Sequence, residues 1–178
     1  VPITVLTWLN WRGPTPIVPG AVLAGAAALS GVVGVLLASV LESMLATPSG
    51  GAPPLGVAII EESIKVAVPI GLLLVGVAPR RDAGGVIGVA AGAGFAVLET
   101  MGYAFAVLLE TGSLAAADQT LLLRGIFAPA CHIAWTGMVV AVAWRARYSA
   151  RRGGGGGAPV GTFLGVLVLH PARDAFAA

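Results

Sequence analysis

Charge is scarce in this chain. Only 10% of its 178 residues are Asp, Glu, Lys or Arg, against roughly 25% in an ordinary soluble domain. Cysteine occurs once, at Cys131, which excludes an internal disulfide and a Cys-rich metal site. There is no H-E-x-x-H stretch, so the sequence does not demand a zinc helix of that type. No internal repeat is visible, which weighs against a transporter built from inverted halves. The net charge of +2 does not point to nucleic acid, because the basic residues sit in short connections where membrane topology accounts for them.

Apolar residues take the place of charge. They make up 57% of the chain, and the mean hydropathy is +0.95. A soluble fold of this size has no use for so much apolar surface, so the expected solvent is a bilayer. Five apolar runs fall at 20–45, 55–78, 84–109, 121–144 and 158–176. Each is near the ~20 residues that cross a hydrocarbon core as a helix. The expected fold is therefore all-α: a polytopic bundle of about five spanning helices. The runs are rich in Gly and Ala, which lets membrane helices approach closely. The first run exceeds the usual signal-peptide core of about 7–15 residues.

Residues 1–19, with Pro2, Pro14, Pro16, Pro19, Trp8, Trp11 and Arg12, read as an interfacial lead-in, and 20–178 as one transmembrane catalytic domain. Connections are expected at Pro48 to Pro54, at Pro79 to Asp82, at Gly112 to Thr120, and at Arg145 to Gly157, the last a flexible glycine linker. Starting at Val1 and closing just past Asp174 suggests trimming at one or both ends. Arg12, Arg80, Arg81, Arg145, Arg147, Arg151 and Arg152 fall on one side of a five-helix layout. The positive-inside rule then places the N-terminus in the cytoplasm, in what is expected to be a bacterial plasma membrane. Arg124 reads as a loop or interface anchor.

Ionisable groups inside membrane helices are functional candidates by default, since each costs about 2.5–3.5 kcal/mol at helix centre. Glu61, Glu62 and Lys65 lie in the second run, Glu99 in the third, His132 in the fourth, His170 and Asp174 in the fifth. Lys65 follows Glu61 by four and Glu62 by three, so it meets both on one face. Phe95, Glu99 and Tyr103 share a face, as do His132 and Thr136, and His170 and Asp174. An Asp one turn from a His can fix its tautomer. Counting along each helix puts Glu61, Glu62 and His170 roughly 10 Å, and Glu99 and His132 roughly 12–16 Å, below the same outer surface. Four helices thus bring polar groups to one depth, in an outward cavity. The structural alternatives are a buried ion pair for Glu61, Glu62 and Lys65, a helix-to-helix hydrogen bond for Glu99, and a helix contact for His132. Phe95, Tyr103, Trp135 and Trp144 read as packing or interface residues, and Cys131 as a filler.

In order along the chain stand Glu61-Glu62-Ser63-Ile64-Lys65, then Phe95 to Glu99 with Tyr103, then His132 with Thr136, then His170 with Asp174. This set resembles the PrsW family of intramembrane proteases, with its EExxK, FxxxE and HxxxD pattern. The related CAAX-protease and bacteriocin-immunity branch has EExxxR and FxxxH instead. The resemblance spans residues 61 to 174. It implies hydrolysis of a membrane-anchored protein, of the anti-sigma-factor kind, outside the cytoplasm. Glu61, Glu62, Glu99, His132 and His170 are then the catalytic candidates, with Lys65, Phe95 and Asp174 in support.

Two mechanisms fit. In one, Glu61 or Glu62 with His132 activates a bare water, and His170 orients it or steadies the oxyanion. In the other, Glu62, Glu99, His132 and His170 hold a zinc ion. A proton-coupled transporter and a non-catalytic immunity or scaffold protein are the competing functions.

Overall fold

The computed structural model describes residues 2–11, 17–47, 50–149 and 157–177, without the side chains of 2, 127–129, 149 and 172–177. Arg12, Pro48, Arg151, Arg152, most of the glycine run and the side chain of Asp174 lie outside the described residues. Among the described residues there are six helices and no strand longer than a single bridge. They are α1 Pro2–Asn10, α2 Gly20–Leu45, α3 Pro54–Leu74, α4 Ala83–Thr111, α5 Leu114–Ser149 and α6 Ala158–Ala177.

The five apolar runs reappear as α2 to α6. Three of these, α2, α4 and the length of α5 to Tyr148, are long and apolar enough to cross a membrane on those grounds alone. Helix α3 has the length, but it carries Glu61, Glu62 and Lys65. The apolar part of α6 runs only from Ala158 to Pro171. The outside of the bundle is apolar, with Leu36, Leu109, Leu122, Ile126 and Val168 exposed, while glutamates, a lysine and two histidines are buried. A polar interior under an apolar exterior is the arrangement a bilayer selects. The protein is an integral membrane protein.

Two connections differ from expectation. The third is not Gly112 to Thr120 but two residues. Gly112, at φ +66°, ends α4 in the left-handed conformation that glycine tolerates. The Ser113 hydroxyl oxygen then accepts the Ala116 N–H at 3.2 Å, a cap that starts α5 at Leu114. The fourth starts later than expected, since α5 continues to Ser149 and takes in Arg145 and Arg147. The lead-in contains α1, and its return is pinned by Asn10. The Asn10 amide donates to the Val18 carbonyl at 3.0 Å and accepts the Val18 N–H at 2.9 Å.

Helix α4 is the hub. Gly84, Gly88 and Gly92 recur every four residues and line the face toward antiparallel α5. A Cβ there would come within 2.5 Å of Trp144, 2.8 Å of the Thr136 carbonyl and 2.6 Å of the His132 carbonyl, respectively. Small residues at this spacing allow backbone-to-backbone approach in a membrane. On another face, Gly94 meets the backbone of Ala27, and Gly31 meets Gly94. There α2 loosens into a π-helical turn over Leu29–Val33. Continued toward the loop, the α4–α5 register brings Glu99 level with Arg124.

Candidate active site

The site is built outward from Lys65. One turn of α3 puts Lys65 Nζ 2.6 Å from Glu62 Oε1 and 3.1 Å from Glu61 Oε2. Lys65 and Glu62 are almost wholly buried, at 0% and 1% exposure. From α5, His132 Nδ1 lies 2.7 Å from the same ammonium. An ammonium only donates, so His132 accepts at Nδ1 and carries its proton on Nε2. That nitrogen faces Glu99 Oε2 of α4 at 3.1 Å. From α6, His170 Nδ1 lies 2.7 Å from Glu62 Oε1. The carboxylate accepts there, so the proton sits on Nδ1, and Nε2 presents its lone pair toward Glu61 Oε2 at 3.7 Å.

Four helices thus bring together Glu61, Glu62, Lys65, Glu99, His132 and His170, all buried. Phe95 backs the cluster: its ring centroid is 4.8 Å from Lys65 Nζ and 5.9 Å from that of His132. Trp135, expected to be only a packing residue, lies against His170 at 5.6 Å. Pro171 follows His170 inside α6 and removes the hydrogen bond that Leu167 would accept.

Arg124 corrects the sequence expectation. It is no loop anchor: it lies within α5, with Nη2 3.0 Å from Glu99 Oε2. Its guanidinium stacks 3.7 Å above the Tyr103 ring, so Tyr103 is a platform rather than an interface marker. Glu42 was not singled out from sequence at all. It lines a cavity of about 230 Å³ between α2 and α4 together with Glu61, Phe95, Glu99 and Tyr103. An acidic residue in an otherwise uncharged 26-residue run was the signal available.

The donor set suits a divalent cation. Glu61, Glu62 and His170 form one group whose ligand atoms lie within 4.8 Å of one another, and Glu61, Glu99 and His132 form a second. Glu61 belongs to both. Its Oε2 is buried without a hydrogen bond, as is Glu99 Oε2. The 3.7 Å between Glu61 Oε2 and His170 Nε2 is too long for a hydrogen bond. It is close to the roughly 3.3–3.6 Å that separates two ligands of one tetrahedral zinc at about 2.0–2.2 Å each.

Residues 13–178 match the family model described as PrsW family intramembrane metalloprotease. The chain belongs to that family. It is therefore a membrane-embedded hydrolase acting on a protein substrate, as the EExxK, FxxxE and HxxxD resemblance implied. No curated protein and no solved structure matches it. Within a PrsW protein, a buried Glu and His cluster bordering a cavity is consistent with proteolysis in a membrane.

Proposed function

We propose that the chain is a metal-dependent endopeptidase that cuts a membrane-anchored protein of the anti-sigma-factor kind near the outer half of the bilayer. The observation that carries this reading is the convergence of Glu61, Glu99, His132 and His170 beside a cavity that two of them, Glu61 and Glu99, line. Residues 20–178 form the catalytic unit, with 1–19 as an interfacial lead-in, and α3 and α6 cross the membrane inside the bundle. Packing inside the bundle makes this tolerable for α3, because its three charges face protein rather than lipid. Arg80 and Arg81 precede α4 while Arg145 and Arg147 end antiparallel α5, so these four share one end of the bundle. Trp144 ties that end together by donating to the Ala78 carbonyl at 3.2 Å. The positive-inside rule makes it cytoplasmic, and the Glu and His cluster then lies toward the opposite side.

Glu61 and His170 Nε2 would hold the metal, which when bound supplies Lewis-acid polarisation of the scissile carbonyl and a more acidic water. The chain's own residues do the rest. Glu62 Oε1 holds the His170 proton on Nδ1 and so aims Nε2. Glu99 faces the cavity and is suited to take a proton from the attacking water and deliver it to the leaving amine. Sequence reading gave that duty to Glu61 or Glu62; Glu99 is favoured because Glu62 does not line the cavity and Glu61 belongs to the metal group. His132 and Arg124 fix the orientation of Glu99, and Lys65 balances the charge of Glu61 and Glu62.

The test combines cleavage and metal content in detergent, using a single-span substrate. Glu99→Gln should abolish cleavage while keeping about one metal per chain; His170→Ala should lose both. Full cleavage by both variants would sink the proposal. Cleavage unaffected by chelation, with no co-purified metal, would return the bare-water mechanism.

A further inference from the structure

We propose that Glu42 is a specificity-determining residue, selecting a substrate side chain that carries a hydrogen-bond donor next to the scissile bond. This rests on the protease reading above and assigns the cavity as a subsite of that same reaction.

Glu42 lies three residues before the end of α2. Val35, Ala38, Ser39 and Glu42 fall on one face of that helix and line the cavity together. Opposite them, α4 contributes Gly102 and Ala106 beyond Phe95, Glu99 and Tyr103. At 1.5 Å per residue, Glu42 sits roughly 4–5 Å from its helix end, against roughly 10 Å for Glu61 in the neighbouring helix. The cavity therefore runs from Glu42 near the end of the bundle down to Glu61 and Glu99. A substrate segment passes Glu42 before it reaches the reacting groups. Ala38, Ser39, Gly102 and Ala106 leave room for one side chain, and about 230 Å³ accommodates a residue as long as lysine.

The partners of the three carboxylates differ. Glu61 meets Lys65, and Glu99 meets Arg124 and His132. Among the described residues, Glu42 Oε1, like Glu61 Oε2 and Glu99 Oε2, is buried with no hydrogen-bond partner, and Glu42 has no ion pair to offset this. A buried acceptor without a donor is costly to keep, most of all in a membrane. A donor arriving with substrate would satisfy it at the moment of binding. Lysine and serine side chains share that chemistry, one charged and one neutral.

The experiment measures kcat/KM for a single-span substrate panel. Lys, Ser, Ala, Leu and Glu are placed in turn at each of the three positions on either side of the cleaved bond. At one position the unaltered enzyme should prefer Lys or Ser over Ala and Leu by about tenfold, the effect of one hydrogen bond to a charged group. In Glu42→Leu, a substitution that membrane helices accept readily, that ratio should fall to about one. In Glu42→Lys it should reverse in favour of the Glu substrate. A ratio that survives Glu42→Leu, or the lack of any donor preference in the unaltered enzyme, would overturn the assignment while leaving proteolysis intact. No cleavage of any panel member would overturn both.

Discussion

His170 Nδ1 stands 2.7 Å from Glu62 Oε1 across 108 residues of chain. The contact joins α6 to α3 inside the bundle and decides which imidazole nitrogen points at Glu61. A carboxylate that fixes a ligand histidine raises its basicity, and losing such a partner typically weakens metal affinity by about 10–100-fold. Glu62→Gln is expected to lower metal affinity by that amount, read by competition with a metal indicator on purified protein. Unchanged affinity would mean that Glu62 does not orient His170 toward the ion.

Lys65 carries a different burden. Two carboxylates and an imidazole surround its ammonium at 2.6–3.1 Å, and the side chain has no exposed surface. Removing one partner of a buried ion pair leaves the other charge uncompensated, at about 3–5 kcal/mol. Lys65→Met should therefore lower the melting temperature in detergent sharply. Adding Glu62→Gln to it should recover part of the loss. A Lys65→Met protein as stable as the parent would refute the account of the cluster as a charge-balanced unit.

The reach of the sequence can be traced residue by residue. Glu61, Glu62 and Lys65 were legible because helical spacing alone forces them together. Glu99, His132 and His170 were legible because ionisable groups stand out in apolar runs. Arg124 was misjudged because α5 was expected to begin near Leu121. The two-residue turn at Gly112 and Ser113 starts the helix seven residues earlier and places Arg124 roughly three turns inside it. That turn depends on a left-handed glycine and a serine cap, local features that hydropathy does not report. Glu42 was passed over because the cavity it lines is formed jointly with α4, and no pattern within α2 encodes the gap between helices.

The Arg124 and Glu99 pair yields a third prediction. A planar guanidinium stacked on Tyr103 and ion-paired with Glu99 holds that carboxylate in one orientation, and lysine cannot reproduce the stacked geometry. Arg124→Lys should lower kcat by about tenfold, a positioning loss of about 1.4 kcal/mol, with little change in KM. A raised KM with unchanged kcat in Arg124→Lys would show that Arg124 works on the substrate rather than through Glu99.

The last prediction separates packing from chemistry. Gly94 and Gly25 are both glycines in long apolar helices, and composition treats them alike. Their surroundings do not. A Cβ on Gly94 would overlap the Ala27 backbone, whereas one on Gly25 meets nothing within 4 Å. Because the atoms opposite Gly94 are backbone in a neighbouring helix, no rotamer change can relieve the clash, and α2 would have to move away from α4. Overpacking of this kind typically costs about 1–3 kcal/mol. Gly25→Ala instead gains helix propensity, about 0.5–1 kcal/mol over glycine. The two substitutions should thus shift the melting temperature in detergent in opposite directions. Gly94→Ala should also depress cleavage, since the cavity holding Glu42, Glu61 and Glu99 is bounded by these same two helices. Equal shifts for both variants would mean that α2 and α4 do not meet at Gly94.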